Sequence, residues 1–199
     1  EEMADVVLFF AKIPLLRDLG YKLYGALTRP KQDLPQVGNL GTLTPTLSRG
    51  AQPTEKGFET LKSQGVQTVI NLRPEANWEA PMVKQQGMNY VYLPLPAVGA
   101  PTNEQAMQFL SLVTDPKNGK VFFHCQHGAD RTGAMAAAYR IAAQGWTADQ
   151  AIAEMYQYNF HAGFEDAKLD FVRSFAAYWQ GLDSQTKASV LHRSLDLTA

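Results

Sequence analysis

Three short β-prone runs, 67–72 (QTVINL), 89–93 (NYVYL) and 120–124 (KVFFH), are each separated from the next by a stretch that reads as helix. Strands alternating with helices line up in parallel and need helices packed over them. The pattern predicts an α/β fold with a mostly parallel central sheet flanked by helices. Before these runs, β-prone pieces broken by Gly41, Pro45 and Gly50 predict a hairpin over 39–52. Helices are expected over 54–64, 77–86, 131–144, 148–159 and 165–180. A further one opens on the capping-box pair Thr102 and Gln105 and ends near Asp115–Pro116; Thr147 and Gln150 repeat that signal for 148–159. Ligands of such sheets sit beyond the carboxyl ends of the strands, which here means Arg73, the loop 94–101 and the segment from Cys125.

The chain has 199 residues, enough to bury roughly 70% of its unfolded surface without staples. An N-terminal helical arm and linker (1–38), a main domain (39–181) and a C-terminal tail (182–199) are the expected units. In the arm, Val6, Phe9, Ile13, Leu16, Gly20, Leu23 and Leu27 recur at three- and four-residue spacing, and Pro14 should divide the helix. The Pro-rich, polar stretch 28–38 reads as the linker. Lys12, Arg17 and Asp18 cut the apolar run well short of the ~20 residues of a membrane span, so no integral membrane segment is expected. Eighteen basic residues against nineteen acidic ones leave a net charge of −1, and no global field marks nucleic acid as a partner. With one cysteine, Cys125, an internal disulfide is excluded and no multi-cysteine metal site is offered. Neither metal nor cofactor is called for, and the compartment stays open between cytoplasm and export after loss of an upstream signal.

Between the strand 120–124 and the helix 131–144 the sequence reads His124-Cys125-Gln126-His127-Gly128-Ala129-Asp130-Arg131-Thr132-Gly133. A tight loop entering a helix turns successive backbone N–H groups inward and makes an anion-sized nest. Gly128 lets the backbone curve, and Gly133 lets the helix come close to the sheet. Arg131 can close a planar fork over an oxyanion. A thiol at the floor of such a nest, facing amides, a helix end and an arginine, is set up to be a nucleophilic thiolate. Thr132 is placed to hydrogen-bond the sulfur and help it leave in a second step.

This Cys-x5-Arg-Thr-Gly loop with His before the cysteine resembles the protein tyrosine phosphatase superfamily, in particular its small bacterial dual-specificity-like and phytase-like branch. The stretches 47–75 (LSRGAQPTEKGFETLKSQGVQTVINLRPE) and 145–155 (GWTADQAIAEM) resemble the same branch, so about residues 45 to 165 carry the likeness. The resemblance implies a dual-specificity-phosphatase-like fold with an extra N-terminal arm. It also implies a cysteine-based phosphomonoester hydrolase that passes through a thiophosphate. Cys125, Arg131, Asp130 and Thr132 would be catalytic; Gln126, His127, Gly128, Ala129 and Gly133 would line the phosphate site, supported by His124. The partner would be a phosphorylated small molecule or a phosphoprotein.

Four other readings compete. Cys125 as an inert buried thiol does not explain the Gly and Arg that follow it. His124, Cys125 and His127 as metal ligands lack a fourth partner at a recognised spacing, whether His161 or His192. A sulfurtransferase loop does not favour Arg-Thr-Gly after five spacers. A pseudophosphatase that binds phosphate without turnover stays the main alternative.

Most of the superfamily carries a general-acid aspartate on a loop corresponding to 94–101. Here that loop reads PLPAVGAP, with Val98 about where relatives have aspartate. Asp130, immediately before Arg131, is the expected substitute, and Glu104 is the runner-up. Arg73, at the same sheet edge, is the expected second anion-binding residue, with Arg49 a weaker candidate. An added arginine would suit an inositol polyphosphate or phosphoinositide; otherwise phosphotyrosine is the expected substrate.

Overall fold

The computed structural model describes residues 9, 13, 16–28, 34 and 36–193. In chain order its elements are α1 (Arg17–Thr28), β1 (Gly41–Thr44), β2 (Leu47–Gly50), α2 (Glu55–Ser63), β3 (Thr68–Asn71), α3 (Ala80–Gln85) and β4 (Asn89–Tyr92). They continue with α4 (Asn103–Thr114), β5 (Val121–His124), α5 (Asp130–Gln144), α6 (Ala148–Gln157), α7 (Asp166–Gly181) and α8 (Ser184–Val190). The strands form one sheet in the order β1-β2-β5-β3-β4. Only the β1–β2 hairpin is antiparallel; the other three pairings are parallel. The expected α/β architecture is therefore present, and β5 lies at its centre.

Side chains alternate across the sheet and so divide the core in two. Ile70, Val121 and Phe123 face the larger apolar cluster, built with α4 to α7; Val69 and Phe122 face a smaller one with Phe58, Leu61, Val83 and Met88. Both capping boxes form, Thr102 with Gln105 and Thr147 with Gln150, and they fix where α4 and α6 begin. The helix expected over 77–86 is shorter, because α3 starts only at Ala80 with Pro81 in its first turn. That leaves residues 72–79 as a long loop over the carboxyl edge of the sheet.

Helix α5 is the middle of the larger face. Gly133 approaches Met155 of α6, where a Cβ would lie 3.3 Å from its Cγ. The close contact expected with the sheet is thus a contact between helices. Arg140 ties the same two helices together by donating from Nη2 to Glu154 Oε1 (2.5 Å), and ties α5 to β1 by donating from Nη1 to the Leu43 carbonyl (3.1 Å).

Of the N-terminal arm, α1 docks on α6: Tyr21 is buried, stacks on Tyr156 at 5.4 Å and donates to Asp149 (2.6 Å). Its outer face leaves Leu19, Leu23 and Leu27 exposed. Val6, the break at Pro14 and most of the 28–38 linker lie outside the described residues. The stretch expected as a tail contains α8, held to α4 where Thr114 Oγ1 donates to the Val190 carbonyl (3.1 Å). No helix among the described residues is long and apolar enough to cross a membrane.

Candidate active site

β5 delivers His124 to the sheet edge, and the chain then makes a five-residue loop, 125–129, into α5. Gly128 adopts φ +67°, and a Cβ there would sit 2.5 Å from the Ala51 nitrogen and the Gly50 carbonyl carbon. Only glycine allows the loop to press against the end of β2. Gln52 N–H donates to the Gln126 carbonyl (3.2 Å) and continues that seam. Cys125 is buried, with 2% of its surface exposed. Gln126 and His127 are exposed on the rim, whereas Ala129 is buried and no side chain caps the first amides of α5.

The floor beneath the loop is occupied by Arg49, which is fully buried. Its Nη2 donates to the Gly128 carbonyl (2.7 Å), and its guanidinium lies 4.0 Å from the Tyr158 ring centroid. Burial lowers its pKa from the usual arginine value, opposed by Glu154, Tyr158 and Cys125. Arg49 is therefore a support beneath the loop, with no surface from which to grip a substrate.

Arg131 opens α5 and pairs with Glu75 through two bonds, Nη1 to Oε2 (2.8 Å) and Nη2 to Oε1 (3.0 Å). Burial works against its charge, but the Glu75 hydrogen bonds and the nearby Cys125 outweigh this and raise its pKa. Glu75 responds in the opposite sense. Its carboxyl falls to about 2, chiefly through the Arg131 hydrogen bond and against the effect of burial. Arg73 joins them, donating from Nε to Glu75 Oε1 (3.0 Å) and from Nη1 to Gln52 Oε1 (2.7 Å). Gln52 in turn donates to Glu79. Glu79 Oε1 meets His124 Nε2 at 2.9 Å, and His124 Nδ1 lies 3.2 Å from the Cys125 carbonyl. One continuous polar chain thus runs from the loop arginine to the residue before Cys125. Arg73 reaches the expected edge, but its charge is spent inside that chain.

On the other side of the loop, Asp130 contacts neither Arg131 nor Glu75 by hydrogen bond. Its Oδ1 accepts from the His161 N–H (2.9 Å), and its Oδ2 lies 2.8 Å from His161 Nδ1. His127 and His161 rings meet edge to face at 5.6 Å. The Thr132 hydroxyl is buried without a hydrogen-bond partner, so the expected bond to sulfur is not formed in this state. Glu104 sits exposed in the first turn of α4, where its own N–H and the Thr102 hydroxyl hold its carboxyl below the usual range. That favours the ionised form and counts against it as a proton donor. Loop 94–101 is tied down at Gly99, whose carbonyl accepts from the buried Lys168 Nζ (2.8 Å), and Val98 is 84% exposed.

Sequence reasoning did not find Glu75, Glu79 or Gln52, and it weighed His161 only as a fourth metal partner of His124, Cys125 and His127 and set it aside. Glu75 had a signal, an acid two residues after an arginine at the functional edge. Nothing in the sequence placed His161 beside Asp130, which lies 31 residues upstream.

A parallel sheet with a buried cysteine at the entrance to a helix that carries an arginine in its first turn defines a phosphatase-type scaffold. The family model for a DSP-PTPase phosphatase fused to NAD+ kinase matches residues 41–174, and the chain belongs to this dual-specificity phosphatase family. It is 33% identical over 145 residues to the dual specificity protein phosphatase TpbA of Pseudomonas aeruginosa, covering 73% of this chain. The match spans 63% of that relative's length. The crystal structure of a cysteine-to-serine TpbA in complex with phosphotyrosine superposes with a TM-score of 0.57 at 25% identity, over 73% of this chain and 99% of that one. The core catalytic domain of the PP-IP phosphatase Siw14 from S. cerevisiae gives a TM-score of 0.63 at 16% identity, over 72% and 88%. At that identity the likeness carries the fold alone.

Proposed function

We propose that this domain is a cysteine-based phosphomonoesterase acting on phosphotyrosine or a similar aryl phosphate. The observation that carries the reaction class is the buried Cys125 at the mouth of the uncapped α5, with Arg131 in that helix's first turn. The Cys125 thiolate attacks phosphorus, and the bond from phosphorus to the ester oxygen breaks. Loop amides and the Arg131 guanidinium, which exchanges the half-exposed Glu75 for the substrate phosphate, stabilise the equatorial oxygens. Asp130 gives a proton to the leaving oxygen. Water then attacks the thiophosphate, Asp130 takes a proton from it, and the thiolate leaves with phosphate released. The unpartnered Thr132 hydroxyl supports this reading, because a buried donor without a bond costs about 1–3 kcal/mol unless the reaction gives it a partner.

The choice of substrate rests on where the other two arginines lie. Recognition of an inositol polyphosphate needs further cations around the loop, yet Arg49 lies beneath it and Arg73 is engaged by Glu75 and Gln52. Glu75 adds negative charge at the same edge. A monophosphate on an uncharged aromatic ring avoids that repulsion, and the phosphotyrosine complex of the TpbA relative points the same way. The test is a comparison of kcat/KM for phosphotyrosine peptides, phosphoinositides and inositol polyphosphates, all in EDTA. The peptides should lead by at least about tenfold, or ~1.4 kcal/mol. A clear preference for inositol polyphosphates overturns the substrate assignment. Phosphate binding without any turnover overturns the enzyme in favour of a pseudophosphatase.

A further inference from the structure

His127, Asp130 and His161 each offer one ligand atom, and these three atoms all lie within 4.8 Å of one another. His127 belongs to the phosphate loop, Asp130 to the first turn of α5 and His161 to the turn between α6 and α7. The fold brings them together although His161 lies 31 residues beyond Asp130 in the sequence. A hydrogen-bond contact of 2.8 Å holds Asp130 to His161, and His127 joins the cluster through its edge-to-face packing on His161 at 5.6 Å.

We infer that these three side chains form a divalent-cation site on the outer lip of the phosphate loop, selective for the zinc, cobalt and nickel class. Two imidazoles and one carboxylate are the donor set that such borderline cations take, whereas calcium and magnesium require oxygen. Zinc takes ligands at about 2.0–2.2 Å, so the cluster closes around an ion with modest side-chain rotation. His161 is half exposed and His127 lies on the rim, which leaves both free to make that rotation. Supporting bonds are present. The His161 N–H holds Asp130 Oδ1 and leaves Oδ2 to face the cluster, while Asn39 Nδ2 donates to the His127 carbonyl (3.1 Å) and fixes that part of the loop. Such second contacts orient metal ligands. Three protein ligands leave a coordination position for water or an oxyanion at the mouth of the site. The consequence for turnover rests on the role given to Asp130 above: a bound cation removes that carboxylate from proton transfer, and the domain is then reversibly inhibited.

The site itself is tested without turnover. Cobalt(II) is titrated into the full chain carrying Cys125→Ser, which removes the thiolate as a competing ligand, and visible absorption is followed. One equivalent should bind with ligand-field bands, and adding His127→Ala or His161→Ala should weaken binding at least about tenfold. His161→Gln, with circular dichroism to confirm folding, guards against a collapsed variant. Absence of bands in the Cys125→Ser chain, or binding that ignores both histidines, overturns the site. Either result leaves the phosphatase reading standing, since that reading is measured in EDTA.

Discussion

The two flanks of the phosphate loop are built on opposite plans. On one flank, Arg131, Glu75, Arg73, Gln52, Glu79 and His124 form a chain that ends against the Cys125 carbonyl, and His124 and Glu79 are 0% and 1% exposed. On the other, Asp130 hydrogen-bonds His161 alone among the described residues, with the two side chains 14% and 50% exposed. At the His124–Glu79 end of the first flank each lost partner would leave a desolvated charge, whereas Glu75 at the other end is 41% exposed. An open pair can exchange partners with water, substrate or a cation at little cost. The first flank is a chain that holds geometry, while the second carries the carboxylate proposed above for proton transfer.

The open flank should show the largest effect, and only where the leaving group needs it. General acid catalysis is worth roughly 10²–10⁴ in rate. Asp130→Asn should slow alkyl phosphates by about that factor while sparing phosphoryl transfer from nitrophenyl phosphate, whose leaving group departs without a proton. Equal slowing of both substrates would move Asp130 from proton transfer to support. Glu104→Gln is the control, and it should not discriminate between the two.

The closed flank should respond to shape. Arg131→Lys keeps the charge but loses the planar fork that Glu75 and an oxyanion both use. Steady-state kinetics should show kcat lower by ~10²–10³ with either class of leaving group, the loss expected for one transition-state donor. One step further from the reaction, Glu79→Gln leaves His124 without its carboxylate. Denaturant unfolding should show a loss of about 1–3 kcal/mol, as for a weakened buried charged hydrogen bond.

The smallest effect is the pH response of Glu75. Its carboxyl lies at about 2 in the fold, below the ordinary value of 4.5, so the Arg131 pair stabilises the native state above the ordinary value. That contribution fades as pH falls from about 4.5 towards 2. With its side chain 41% exposed, the pair is screened by salt. Acid unfolding of Glu75→Gln should therefore lack this part of the slope, and the difference from the parent should shrink in high salt.

The parallel sheet, the two capping boxes and the Cys125–Gly133 loop were legible in the sequence because each rests on local chemistry. Period, cap spacing and turn residues are written in neighbouring positions. The polar chain was not legible, since His124, Gln52 and Glu79 come from three segments and meet only when β2, β3 and β5 are aligned. Arg49 shows the same limit. Its strand position was correct, yet the alternation of side chains says nothing about whether Tyr158, more than a hundred residues away, roofs it. The short α8 was missed because its hold on α4, where Thr114 Oγ1 donates to the Val190 carbonyl, is decided by tertiary contact.

The most direct test of the account is the thiophosphate itself. During turnover of a phosphate-labelled aryl ester in EDTA, rapid acid quenching should trap label on Cys125. The Cys125→Ser chain should carry none and turn over nothing. Turnover without any label on the protein, or turnover that survives Cys125→Ser, would contradict a cysteine nucleophile at the floor of this loop.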